Sequence, residues 1–131
     1  MLSIGNSFCI SVVAEEQTIE EIARISGDTN PIHLDDEYAK KSIFGRKIAH
    51  ALFCQNVISM ILGNHLPGEG TILLSQSFQY RKPVYIGDVI EVRVTVEKIL
   101  PKGSYVLSTV CRNQKDEIVL DGESVVKWET L

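Results

Sequence analysis

Apolar and polar residues alternate most regularly in the run V-I-E-V-R-V-T-V-E. Ile90, Val92, Val94 and Val96 fall on one face, and Glu91, Arg93, Thr95 and Glu97 on the other. A period of two is the mark of a half-buried strand. Residues 8–14 and 72–80 predict further strands, as do Y-V-L-S-T-V-C-R and I-V-L-D-G-E-S-V-V-K-W. The turns P-K-G-S and N-Q-K-D-E separate the last three strands. Strands joined by such short turns pair antiparallel.

The helical period appears in the first half of the chain. T-I-E-E reads as a helix start, with Thr18 as cap and Glu21 three residues on completing a capping box. Ile19, Ile22 and Ala23, with Ile25 as a further candidate, make its apolar stripe, and Gly27 sits where such a helix ends. A second short helix is expected from Asp35. The third, residues 49–62, reads A-H-A-L-F-C-Q-N-V-I-S-M-I-L and is apolar on nearly every side. A helix of that kind is buried within a domain. It stops at G-N-H-L-P-G-E-G. A long buried helix with an antiparallel sheet gives an α+β class, the sheet wrapped on the helix.

Composition narrows the function. The 131 residues suit one domain spanning residues 1–131. The net charge of −4 argues against nucleic acid as a partner, because phosphate binding needs a basic face. Cys9, Cys54 and Cys111 are odd in number, scattered and without a C-x-x-C, which suits reduced thiols in a cytoplasm. The opening M-L-S-I-G-N-S-F lacks the basic and apolar regions of a signal peptide. Residues 48–62, the most apolar segment, are too few and too polar to cross a bilayer, so no membrane partner is expected.

The chemistry concentrates in S-G-D-T-N-P-I-H-L-D, residues 26–35. Asp28 and His33 lie five apart around Pro31. On one helix they would point apart, but a bent loop can aim both into one cleft. A carboxylate beside an imidazole suits acid–base work near neutral pH. Asn30 can donate and accept hydrogen bonds and so orient a water or a carboxylate. A turn with polar decoration explains the same residues, since Asp and Asn favour turns. His50 opens the third helix, as a base or as a satisfied core histidine. The backbone N–H groups near Ala51 would lie at that helix's positive end, where an oxyanion can be held. Ser59, further along, could touch a ligand or bond back to its own helix. His65 is read as structural. Arg46, Lys47, Arg81 and Lys82 could meet the phosphates of a nucleotide-bearing substrate or simply be solvated. His33, Asp35 and Asp36 hint at a metal, but no third ligand has suitable spacing, so none is expected. No P-loop, dinucleotide fingerprint or G-x-S-x-G elbow is present.

A-R-I-S-G-D-T-N-P-I-H-L-D-D-E-Y-A is similar to the signature of the (R)-specific enoyl-CoA hydratases, the MaoC-like or hydratase 2 group. The resemblance continues in order through F-G-R-K-I-A-H-A, L-P-G-E-G-T-I and Y-R-K-P-V-Y-I-G-D. It implies a hot-dog fold, a homodimer, and acyl-thioester sites at the subunit interface. It further implies Asp28 and His33 as the catalytic dyad, with Asn30 in their network and the Ala51 N–H as the oxyanion donor. The chain departs from the family in one place, since glycine usually follows the helix-opening histidine. The implied reaction is reversible syn hydration of a trans-2-enoyl-CoA, with CoA as substrate carrier and no metal or redox cofactor. A thioesterase, an acyl-carrier-protein dehydratase or a non-catalytic acyl-CoA-binding module would share the fold.

Overall fold

The computed structural model describes residues 1–129. Its elements run β1 (Ser7–Val13), α1 (Glu16–Ser26), α2 (Pro31–Leu34), α3 (Asp36–Lys40), α4 (Leu52–Asn64), β2 (Ile72–Tyr80), β3 (Val89–Leu100), β4 (Ser104–Arg112) and β5 (Ile118–Lys127). The strands form one antiparallel sheet in the order β1-β3-β4-β5-β2. The alternation in β3 has its expected consequence: Ile90, Val92, Val94 and Val96 are fully buried. They join Leu107 and Cys111 of β4 and Leu120 and Val126 of β5 in one core. Phe53, Val57, Ile58 and Ile61 of α4 fill the concave side. This is the hot-dog arrangement, a sheet curled round a helix.

Two helix starts differ from the sequence pattern, both for tertiary reasons. α1 begins at Glu16, and Thr18 lies inside it instead of capping it. The entry is fixed by the chain before it: Ala14 N–H donates to Asp88 O at 2.9 Å and Glu15 N–H to Val13 O at 2.9 Å. The end is as expected, with Gly27 left-handed at φ 78° and its N–H on Ala23 O. α4 begins at Leu52, not at residue 49. Ile48 bridges to Tyr85, and Ala49 N–H donates to Val84 O at 2.7 Å. Those bonds tie residues 48 and 49 to the segment at Val84 and Tyr85, and only after them does the chain turn into the helix.

α4 is not enclosed all round within one chain. Leu52, Asn56 and Ser59 are exposed along one side. β2 is likewise open over most of its length, with Ile72, Leu73 and Leu74 each about half exposed. β2 holds to the sheet only through β5, where Phe78 faces Gly122. A Cβ on Gly122 would meet Ser77 O at 2.0 Å, so glycine alone fits this crossing.

Candidate active site

Residues 26–35 fold as a chain of local hydrogen bonds. Asp28 N–H donates to Ser26 Oγ at 3.0 Å, and Asn30 N–H to Asp28 Oδ1 at 3.1 Å. Asn30 is non-helical at φ −53° and ψ 124°, since the following proline disfavours the helical region, and its Oδ1 accepts from Ile32 N–H at 3.3 Å. Pro31 then opens α2, whose third residue is His33. The turn expected from Asp, Asn and Pro is therefore real, and it is the device that presents His33. Asp35 caps α3 through Tyr38 N–H at 3.1 Å.

Tertiary contacts complete the arrangement. His33 Nδ1 lies 2.7 Å from Ile48 O. A carbonyl only accepts, so Nδ1 carries a proton, and the neutral ring has its lone pair on Nε2. Nε2 lies 4.0 Å from Asp28 Oδ2. The two groups differ in exposure: the His33 side chain is 10% exposed and that of Asp28 49%. His50 lies just before α4. Its Nε2–H donates to Asp28 O at 3.0 Å, and its ring stacks on His33 with centroids 3.9 Å apart. His50 Nδ1 is buried without a partner among the described residues. His50 thus holds the backbone of one member of the pair and the ring of the other. Neither the Ile48 carbonyl nor this double role was readable from residue types, because both depend on contacts across 15 or more residues.

The pair opens on a cleft of about 470 Å³, lined also by Ala51, Cys54, Tyr80 and Pro83. The Ala51 N–H donates to no backbone oxygen among the described residues. Gln55 Nε2 donates to Tyr80 Oη at the same end of α4. Cys54 and Cys111 are buried free thiols, and the neighbouring Cys54 together with burial pushes the Cys111 thiol above the ordinary range. Ser59 does not join this cleft. It lines a separate groove of about 440 Å³ with Leu52, Asn56 and Leu73. His65 caps the end of α4 and stacks on Phe8, away from the cleft.

The basic pairs have distinct fates. Lys47 is buried and ion-paired with Glu16 and, at 3.6 Å, with Asp36. It is therefore no solvated surface residue: it ties the segment before His50 to α1 and α3. Arg81 grips Asp121 through two bonds of 3.0 and 3.1 Å. Lys82 pairs with Glu117, and Arg46 lies over the Tyr85 ring at 4.0 Å.

Ligand atoms of Asp28, His33 and His50 fall within 4.8 Å of one another. A carboxylate and two imidazoles can serve a divalent cation. The stacking of the two rings opposes that use, because lone pairs in near-parallel ring planes run side by side instead of converging. Asp35 and Asp36, the acids nearest His33 in sequence, are committed to the α3 cap and to Lys47.

A model of the MaoC like domain matches residues 6–118. The chain belongs to that family. Among its MaoC-like relatives, the 3-hydroxybutyryl-CoA dehydratase of Methylorubrum extorquens is 38% identical over 126 residues, which is 96% of this chain and 80% of the relative. The (R)-specific enoyl-CoA hydratase of Rhodospirillum rubrum is 34% identical over 93% of this chain and 85% of its own length. The solved (R)-hydratase from A. caviae involved in PHA biosynthesis superposes with a TM-score of 0.95 at 32% identity, covering 98% of each chain. The MaoC-like fold expected from the motif order is thus the fold of this chain.

Proposed function

We propose that this MaoC-like protein adds water reversibly to trans-2-enoyl-CoA, giving (R)-3-hydroxyacyl-CoA. One observation carries the reading: two acceptors, His33 Nε2 and Asp28 Oδ2, stand 4.0 Å apart. That is too long for a direct hydrogen bond. A water at ~2.8 Å from both would see them at an angle of about 90°, close to its own H–O–H angle. The carboxylate orients one O–H, and the neutral imidazole receives the other. As the oxygen bonds to the β-carbon, the proton passes to His33 Nε2 and is then delivered to the α-carbon on the same face. The hydroxyl keeps the second proton, so one water is added and the dyad returns to its starting state. The Ala51 N–H, at the start of α4, is the donor for the enolate oxygen of the thioester. The electrons move in pairs within water and enoyl group, so the steps call for neither a metal nor a redox group. Asn30 and His50 are positioning residues in this scheme. The names of the relatives support the thioester and its stereochemistry.

The functional unit in this proposal is a homodimer in the cytoplasm. The outer edge of β2, with Ile72, Leu73 and Leu74 half exposed, and the open side of α4 next to it favour a second copy as partner. Three free cysteines favour a reducing compartment. Ser59, in the groove between α4 and β2, would contact the substrate only where that groove meets a partner's cleft.

The test is direct. Purified protein mixed with crotonyl-CoA should remove the enoyl-thioester absorbance and form the (R)-3-hydroxy product. Unchanged absorbance with short and medium enoyl-CoAs would refute the hydratase reading. Release of free thiol would identify a thioesterase instead.

A further inference from the structure

The cleft of Asp28 and His33 does not end at its rim. Lys82 and Pro83 line it and also line a second, polar cleft of about 220 Å³. Arg46, Tyr85, Gln114 and Lys115 form other walls of this second cleft. Its two carboxylates are already satisfied from within. Asp88 is buried and accepts from Tyr85 N–H and Gln114 Nε2, both at 2.9 Å. Glu117 accepts from Lys82 and from Asn113 Nδ2, and Lys82 holds its carboxyl below the usual range. Lys47 and Arg81, the neighbouring cations in sequence, are spent on Glu16, Asp36 and Asp121. Arg46 and Lys115 differ: among the described residues neither has a carboxylate within 4 Å. Both are exposed. The Arg46 guanidinium carbon lies over the Tyr85 ring, 4.0 Å from its centroid, a contact that uses the ring face and leaves its N–H donors for an outside acceptor. A cleft with saturated acids and unspent cations, continuous with a thioester site, is built for phosphate.

We propose that this second cleft receives the phosphorylated nucleotide end of coenzyme A, with Arg46 and Lys115 as its phosphate contacts. The inference rests on the hydratase reading for the placement of the thioester. It makes the protein selective for a nucleotide-bearing carrier over a bare pantetheine arm such as an acyl carrier protein presents. Arg46 and Lys115 are specificity residues here and touch no reacting atom.

The test compares crotonyl-CoA with crotonyl-pantetheine and titrates adenosine 3′,5′-bisphosphate by calorimetry. The wild type should bind the bisphosphate, more weakly as salt is raised. The Arg46→Ala/Lys115→Ala double variant should bind it roughly tenfold or more weakly. The ratio of kcat/KM for crotonyl-CoA to that for crotonyl-pantetheine should fall by a similar factor. Lys98→Ala, which removes a cation lining neither cleft, should move neither readout. Equal losses on both thioesters, or bisphosphate binding unchanged by the double variant, would overturn the proposal. If neither thioester is hydrated, the hydratase reading fails, and the bisphosphate titration alone still decides whether this cleft takes a nucleotide.

Discussion

Asp28 and His33 owe their relation to three backbone carbonyls and one turn. Ile48 O fixes the tautomer of His33, Asp28 O accepts from His50, and Asn30 O accepts from His33 N–H at 3.0 Å inside the turn. Removing one of the two proposed reacting groups while keeping this frame gives the clearest readout. Asp28→Asn and His33→Ala should each lower kcat by ~10²–10⁴-fold with the circular dichroism spectrum unchanged, the usual range for a general acid or base. Near-wild-type turnover in both would reduce the stretch to a turn. Ala51 permits a second test. Its φ of −52° is one proline adopts, so Ala51→Pro deletes the N–H with little backbone strain. It should cost ~10²–10³-fold in kcat, the usual loss for one oxyanion donor, at nearly unchanged KM. Ala51→Gly keeps the N–H and should keep kcat.

At the scale of elements, Lys47 is the clasp between the site and the first helices. Its ammonium is buried beside Glu16 of α1 and Asp36 of α3, and the hydrogen bond to Glu16 is the main reason its pKa is raised above the ordinary lysine value. A group whose folded pKa is raised stabilises the fold fully below its unfolded pKa of about 10.4. That stability is lost as the pH rises through the folded value. Denaturant melts across alkaline pH should therefore show a stability loss above about pH 10 that Lys47→Met flattens. Both acids are more than half exposed, so the neutral-pH effect of that variant should stay near ~1 kcal/mol. The element scale is also where sequence reading reached its limit. Strand β3 was legible residue by residue, because its period comes from burial on one face. The starts of α1 and α4 were not, because bonds from Asp88 and Val84, tens of residues away, set them. Thr18 had the right chemistry for a cap and the wrong tertiary neighbours.

For the whole molecule, the open side is the informative one. β2 leaves an unpaired edge and three half-exposed apolar side chains, and α4 leaves Leu52, Asn56 and Ser59 uncovered beside it. A second copy laid along β2 would close both surfaces. Sedimentation should give a dimer, and Leu73→Lys should shift it toward monomer with a parallel loss of activity. A stable monomer of full activity would show that each chain works alone.

The chain's own pattern determined the class of fold, the helix in the sheet, and the residues able to do acid–base chemistry, because apolar periodicity and side-chain type are local properties. The motif order pointed to the MaoC-like family for the same reason. Only the tertiary structure decided which of those residues lie together. It turned a separation of five positions along the chain into a 4.0 Å gap, assigned the proton of His33 to Nδ1, set His50 behind the pair, and separated Ser59 from it. Each of these outcomes depends on a partner 15 or more residues away or on the shape of a cleft. No local pattern encodes such contacts, since they exist only once the sheet has closed round α4.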